Sequence, residues 1–149
     1  MEINCKEAAA FLRGAEDVLI LCHRNPDGDT LGSGGALCRA LRSMGKRARL
    51  LVNDPTPRNL LHTTEGCGGD FAPKTVVSVD IADEQLFGEA LDPYRGRVEL
   101  AIDHHPSQEF FARETCLEAD SAACGEIVYD ILRQLTPLTP EMALPLYVA

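Results

Sequence analysis

The chain has no apolar run approaching the ~20 residues that a membrane-crossing helix needs, so no segment reads as a span. It has no basic surplus: 14 Lys and Arg stand against 23 Asp and Glu, a formal charge of −9. That deficit argues against long duplex nucleic acid as a partner, because such affinity comes largely from cations on phosphates. No secretory signal pattern opens the chain; MEINCKEAAAFL mixes polar and apolar residues and reads as an amphipathic helix. The six cysteines form no CxxC pair and no regular framework. Cys22, Cys38 and Cys124 lie inside apolar segments, where a free thiol behaves as a small hydrophobe, so the set reads as reduced and mostly buried. Together these absences make the cytoplasm the default location. GxxxxGK[ST] and GxGxxG are missing, which leaves phosphate-loop and Rossmann nucleotide binding unsupported. GxSxG and HExxH are missing too, so neither a nucleophile elbow nor a two-histidine zinc helix is present.

What is there is enough for one domain with a real core: 149 residues, 45% of them apolar. Short continuous apolar runs at 18–22, 47–52, 75–80 and 98–102 read as strands buried on both faces of a parallel sheet. Between them, helical spacing or caps place helices at 4–14, 30–44, 84–90 and 122–135, a short one at 58–62, and a last one starting at Pro140. Asn4 is the expected N-cap of the first helix, and Gly45 the expected stop of the second. Residues 63–73 are the best loop, and Phe110-Phe111 is the expected core anchor. The β-α alternation predicts an α/β fold: an open, mostly parallel sheet with helices on both faces.

The chemistry gathers at three strand ends. His23, Asp27 and Asp29 follow the first strand, Asp80 ends the third, and Asp103-His104-His105 follows the fourth. In open α/β sheets the ligand crevice lies outside the carboxyl ends of the strands, so these groups can converge although they are far apart in sequence. A turn or cap role explains each of them singly, but not three polar strand ends at once. A mixed imidazole and carboxylate set suits Mn²⁺ first, ahead of Ca²⁺, and the acidic composition suits a protein that surrounds divalent cations with carboxylates. More ligands are present than one ion needs, which points to a two-metal site with Asp80 as the shared carboxylate. The glycines at the start of the second helix, Gly32, Gly34 and Gly35, serve either a close backbone approach or a ligand phosphate. Ser33 among them is a phosphate contact or a cap. His62, Asp70, Asp83 and Asp92 have no such context and read as loop or helix-start residues.

The motifs His23-x-x-Pro26-Asp27-Gly28-Asp29 with Gly32-Ser33, then Val79-Asp80, then Asp103-His104-His105, resemble those of the DHH phosphoesterase superfamily. Pro57-Arg58-Asn59-Leu60 and the stretch Asp120 to Tyr129 extend the likeness over essentially the whole chain, and Gly28 points to the nano-RNase and RecJ-like branch. The resemblance implies a metal-dependent phosphoesterase acting on short nucleotides, either very short oligoribonucleotides or 3′-phosphoadenosine-5′-phosphate. The alternatives are a cyclic-dinucleotide phosphodiesterase and a catalytically silent nucleotide-binding domain. It implies two divalent ions, Mn²⁺ by preference with Mg²⁺ or Co²⁺ as substitutes: His23 and Asp27 on one, Asp29 and His104 on the other, and Asp80 on both. Asp103 would orient its neighbours, His105 would face the scissile phosphate as a catalytic group beside Asp80, and Ser33, His105 and Ser107 would touch substrate. Gln108 and Ala112 stand where relatives often have Asn and Gly. The family's last metal carboxylate and its second, substrate-gripping domain do not occur within these residues, so a fragment of a protein about twice this length is expected. A homodimer is a further implication.

Overall fold

In the computed structural model, which describes residues 1–149, six strands form one all-parallel sheet. They are β1 (Glu2–Ile3), β2 (Val18–Cys22), β3 (Ala48–Val52), β4 (Thr75–Val79), β5 (Leu100–Asp103) and β6 (Glu114–Leu117), in the spatial order β1-β6-β5-β4-β2-β3. The helices are α1 (Cys5–Gly14), α2 (Gly28–Ser43), α3 (Leu61–Thr64), α4 (Cys124–Leu135) and α5 (Pro140–Val148). Every residue of β2, β4 and β5 is buried, as strands covered on both faces require.

The two faces are covered unequally. A cluster of 27 buried residues joins Val18, Ile20, Val77 and Leu100 of the sheet to α1, α2 and α4. The opposite face carries a cluster of 9, where Leu19, Leu21 and Ala101 meet Phe87, just past the 3₁₀ turn Glu84–Leu86, and Leu91 from a second, Glu89–Tyr94. The expected helix at 84–90 is therefore not an α-helix. Gly88 breaks it at φ +76, where a Cβ would strike the Asn53 amide, and Pro93 withholds an N–H.

Chain order makes the site's position. From β2 the chain crosses over α2 to β3 on one side; the next strand, β4, lies on β2's other side, and the connection from β4 to β5 covers the opposite face. Adjacent strands whose connections diverge leave a crevice at their carboxyl ends, the usual ligand site of such sheets. β2 and β4 are that pair.

Other departures have local causes. The edge strand β1 is too short, at two residues, to show a pattern, and β6, with four, shows little more. Phe110 is 45% exposed at φ +53, so Phe111 alone is the anchor, edge-on to Phe87 with centroids 5.7 Å apart. Two glycines of α2 serve backbone approach, since a Cβ on Gly32 would collide with the Pro145 carbonyl and one on Gly35 with the Thr63 carbonyl, while Gly34 makes room for the Cys22 and Leu50 side chains. All six cysteines are free, five of them buried. Asn4 caps α1 with a reciprocal box to Glu7, at 2.9 Å in each direction. No helix is long and apolar enough to cross a membrane.

Candidate metal centre

Asp80 follows directly on β4 at φ +60, a left-handed conformation that Asp tolerates better than most residues. Its N–H donates to the Ile102 carbonyl at 2.9 Å, continuing the β4–β5 ladder one step, and its side chain turns into the crevice only 3% exposed. One oxygen, Oδ2, lies 3.7 Å from His23 Nε2; the other, Oδ1, lies 3.5 Å from His104 Nε2. Oδ1 is buried with no hydrogen-bond partner, an arrangement folded proteins rarely leave uncompensated. Burial, with the charges of Asp29 and Asp27 adding to it, holds the Asp80 carboxyl above its ordinary pKa, against the pull of His23.

Two groups share this carboxylate. On the Oδ2 side stand His23 and Asp27, with His23 Nε2 3.6 Å from Asp27 Oδ1. Asp27 is also the N-cap of α2, its Oδ1 accepting the Asp29 and Thr30 amides at 3.1 Å each, so the helix begins at Gly28. His23 Nδ1 is paired with the Arg24 carbonyl at 2.7 Å, which directs Nε2 into the site. Burial opposes the charge on His23, but the Asp27 and Asp80 carboxylates, 3.6 and 3.7 Å from Nε2, prevail and carry its pKa up to about 10. The same contact, ahead of an opposing desolvation, depresses Asp27 to about 2.

On the Oδ1 side stand His104 and Asp29, with His104 Nε2 3.5 Å from Asp29 Oδ2. The Ser121 carbonyl accepts from His104 Nδ1 at 3.1 Å and aims the ring. Asp29 is anchored by the Cys124 and Gly125 amides at 2.9 and 3.0 Å, so it caps α4 from across the molecule. Ala123, at the N-cap of α4, offers no capping side chain. A helix start with no cap of its own is the one sequence signal from which this role of Asp29 was recoverable.

His105 lies close as well, but its Nδ1, 3.7 Å from Asp80 Oδ1, is bonded to Asp103 Oδ1 at 2.7 Å. Its Nε2 is left to face outward from a side chain 40% exposed. Burial lowers the His105 pKa, and the bond to Asp103 more than reverses this. Asp103 is fully buried; its Oδ1 also accepts the His104 amide at 2.9 Å, and its Oδ2 accepts Gln108 Nε2 at 2.7 Å. From the sequence Gln108 stands out only as a residue where relatives often have Asn, with no contact to Asp103 foreseen.

The expected groups thus converge, with exceptions among the substrate contacts. Ser33 is fully buried and its hydroxyl donates to Asp29 Oδ1 at 3.3 Å, so it steadies a carboxylate and cannot reach a substrate. Ser107 is exposed beside the site without a hydrogen bond to it. A cavity of about 390 Å³, lined by His23, Arg24, Asn25, Asp27, Asp80, Leu86 and His105, opens over the centre. A larger groove of about 700 Å³ between α4 and α5 holds none of the converging side chains.

The donor set fits divalent cations. Nitrogen-to-oxygen separations of 3.5–3.7 Å are too long for hydrogen bonds. They suit donors that each sit ~2.0–2.2 Å from a common ion. Two such gaps flank Asp80, and its orphaned Oδ1 faces one of them.

The chain is similar to known proteins over most of its length. The model of the DHH family, N-terminal domain, matches residues 17–149. The bifunctional oligoribonuclease and PAP phosphatase NrnA of Thermus thermophilus is 30% identical over 144 residues, which cover 92% of this chain and 43% of that protein. The protein of the same name from Mycoplasma pneumoniae is 26% identical, with 95% and 47% covered. Among solved structures, an exopolyphosphatase-related protein from Bacteroides fragilis superposes with a TM-score of 0.84 at 18% identity, over 97% of this chain and 48% of that one. Exonuclease RecJ bound to manganese gives 0.56 at 17% identity, over 96% and 42%. The chain spans under half the length of these relatives. With the family model running from just before β2 to the last residue, this chain belongs to the DHH family and carries its N-terminal domain.

Proposed function

We propose that the site hydrolyses phosphate esters of short nucleotides with two divalent ions, Mn²⁺ by preference. The observation that carries this is Asp80, a buried carboxylate with one oxygen 3.7 Å from His23 and the other 3.5 Å from His104, each histidine lying beside a further aspartate, Asp27 or Asp29. His23 Nε2, Asp27 and Asp80 Oδ2 would hold one ion; Asp80 Oδ1, His104 Nε2 and Asp29 Oδ2 would hold the other. His105 is left out of the ligand set because its near nitrogen already serves Asp103. When bound, such ions polarise phosphoryl oxygens and lower the pKa of water.

The chain's own groups do the rest. Asp103 holds the Nδ1 proton of His105 in place, so Nε2 is the atom presented to substrate. In its charged form it donates to a phosphoryl oxygen or to the leaving alcohol. Hydrolysis breaks one P–O ester bond: the oxygen of water joins phosphorus and sheds a proton to solvent, the leaving oxygen departs with a proton from Nε2, and solvent returns a proton to Nε2. Ser107, exposed two residues beyond His105, would touch the substrate only outside the cavity, whose lining does not include it. A cavity of about 390 Å³ suits a mononucleotide or dinucleotide end rather than a duplex. The two NrnA relatives are named as oligoribonucleases and PAP phosphatases, which supports the same substrate class.

The test is Mn²⁺-dependent release of phosphate from a 3′,5′-bisphosphate and of mononucleotide from a dinucleotide, with Asp80→Ala as control. Turnover that requires both metal and Asp80 supports the reading. No metal-dependent turnover on either substrate refutes it, and turnover confined to a cyclic dinucleotide corrects the substrate.

A further inference from the structure

We propose that Gln108 is a positioning residue that fixes the Asp103–His105 pair against the loop carrying Asp80; the role in turnover rests on the phosphoesterase reading above. Gln108 is buried, and its amide is fully committed. Nε2 donates to Asp103 Oδ2 at 2.7 Å and to the Ile81 carbonyl at 2.9 Å, while Oε1 accepts the Phe110 amide at 3.0 Å. Both amide protons and one oxygen lone pair are therefore used, and the assignment cannot be reversed. A flipped amide would aim its oxygen at two acceptors and its NH₂ at a donor.

The geometry does two things at once. Ile81 is the residue after Asp80, so one side chain ties the end of β4 to the carboxylate at the end of β5. Glu109 adds a backbone bond to the Ala82 carbonyl at 2.9 Å, making the same loop-to-loop seam. Asp103 in turn holds the His104 amide and the His105 ring, so any swing of its carboxylate moves both histidines. Phe110 sits at φ +53, strained for a bulky residue, and its N–H is spent on Gln108. A loop bent in that way to deliver one hydrogen bond to a buried amide places the amide's orientation under control.

The test uses Gln108→Glu, which keeps the volume but faces two acceptors with a third, and Gln108→Met, which removes all three hydrogen bonds. Leu132→Ala, in the core on α4, is the control for lost stability without a change at the site. At temperatures where all are folded, both Gln108 variants are expected to lower kcat by about 10- to 100-fold, the range for groups that orient site residues. KM should hold within about 2-fold. In metal-free protein the His105 Nδ1 proton, read by imidazole NMR, should exchange with water about 10-fold faster or more than in wild type, as bonds that open more often do. The proposal is overturned if kcat falls no further than in Leu132→Ala, or if proton exchange is unchanged. Absence of turnover in the wild type would defeat the phosphoesterase reading and leave the NMR measurement to judge Gln108 alone.

Discussion

Metal binding must take a proton from His23, and the size of that linkage follows from the site. In the metal-free protein His23 Nε2 faces Asp27 and Asp80, and its pKa is about 10. At pH 7 the ligand nitrogen is thus protonated in all but about one molecule in 10³, an opposing free energy of ~4 kcal/mol at 1.36 kcal/mol per pH unit. The sign is fixed: a cation competes with the proton, so affinity rises with pH until pH nears 10. Between pH 6.5 and 8.5 the apparent Kd for Mn²⁺ should tighten about tenfold per unit from His23 alone. The raised carboxyl of Asp80 steepens the trend at its acid end. Calorimetry of Mn²⁺ binding at pH 7.5, in two buffers of different ionisation enthalpy, should count at least about one proton released per chain. His23→Gln should lower that count by about one and flatten the pH dependence. Affinity independent of pH, or a proton count that survives His23→Gln, would refute the reasoning.

Other outcomes follow from the same contacts. In chelator the sign for His23 reverses: its raised pKa stabilises the fold below about pH 6.5, and that contribution is lost as pH rises through about 10. Thermal scans of metal-free protein should therefore show Tm falling on the alkaline side, less so in His23→Gln. Gly35→Ala should destabilise by about 1–3 kcal/mol, because the new methyl meets the Thr63 carbonyl. Gly14→Ala, with nothing within 4 Å, should stabilise by up to ~1 kcal/mol; denaturant titration of both separates packing from helix propensity. Asn4→Ala should cost about 1 kcal/mol through the lost cap of α1 and leave Mn²⁺ affinity untouched, since the capping box lies outside the site.

How much of this was legible in the sequence depended on range. The strands β2, β4 and β5 were readable because strands buried on both faces must be largely apolar. The polar residues at their ends then stood out, and the fold's chirality and crossover rules placed them on one rim. Local chemistry with two roles was only half legible. Asp27 was readable as a ligand or as a cap, and it is placed for both. Asp29 was readable as acidic, but its grip on the α4 amides, 95 and 96 positions away, leaves a trace only in the missing cap at Ala123. Glycine carries no sign of what approaches it: the bare stretch of α2 suits a phosphate or a backbone equally, and packing on α3 and α5 decides for backbone. Ser33, in the same stretch, is buried for that reason. The role of Gln108 was not readable because the reach of an amide to two strand ends exists only after the strands are paired.

The central claim is that Asp80 serves two ions at once, and metal-edge anomalous diffraction from crystals grown with Mn²⁺ tests it most directly. The account predicts two peaks on opposite sides of Asp80, one beside His23 and Asp27 and one beside Asp29 and His104, and neither in Asp80→Ala. A single peak away from Asp80, or peaks that persist without its carboxylate, would contradict it.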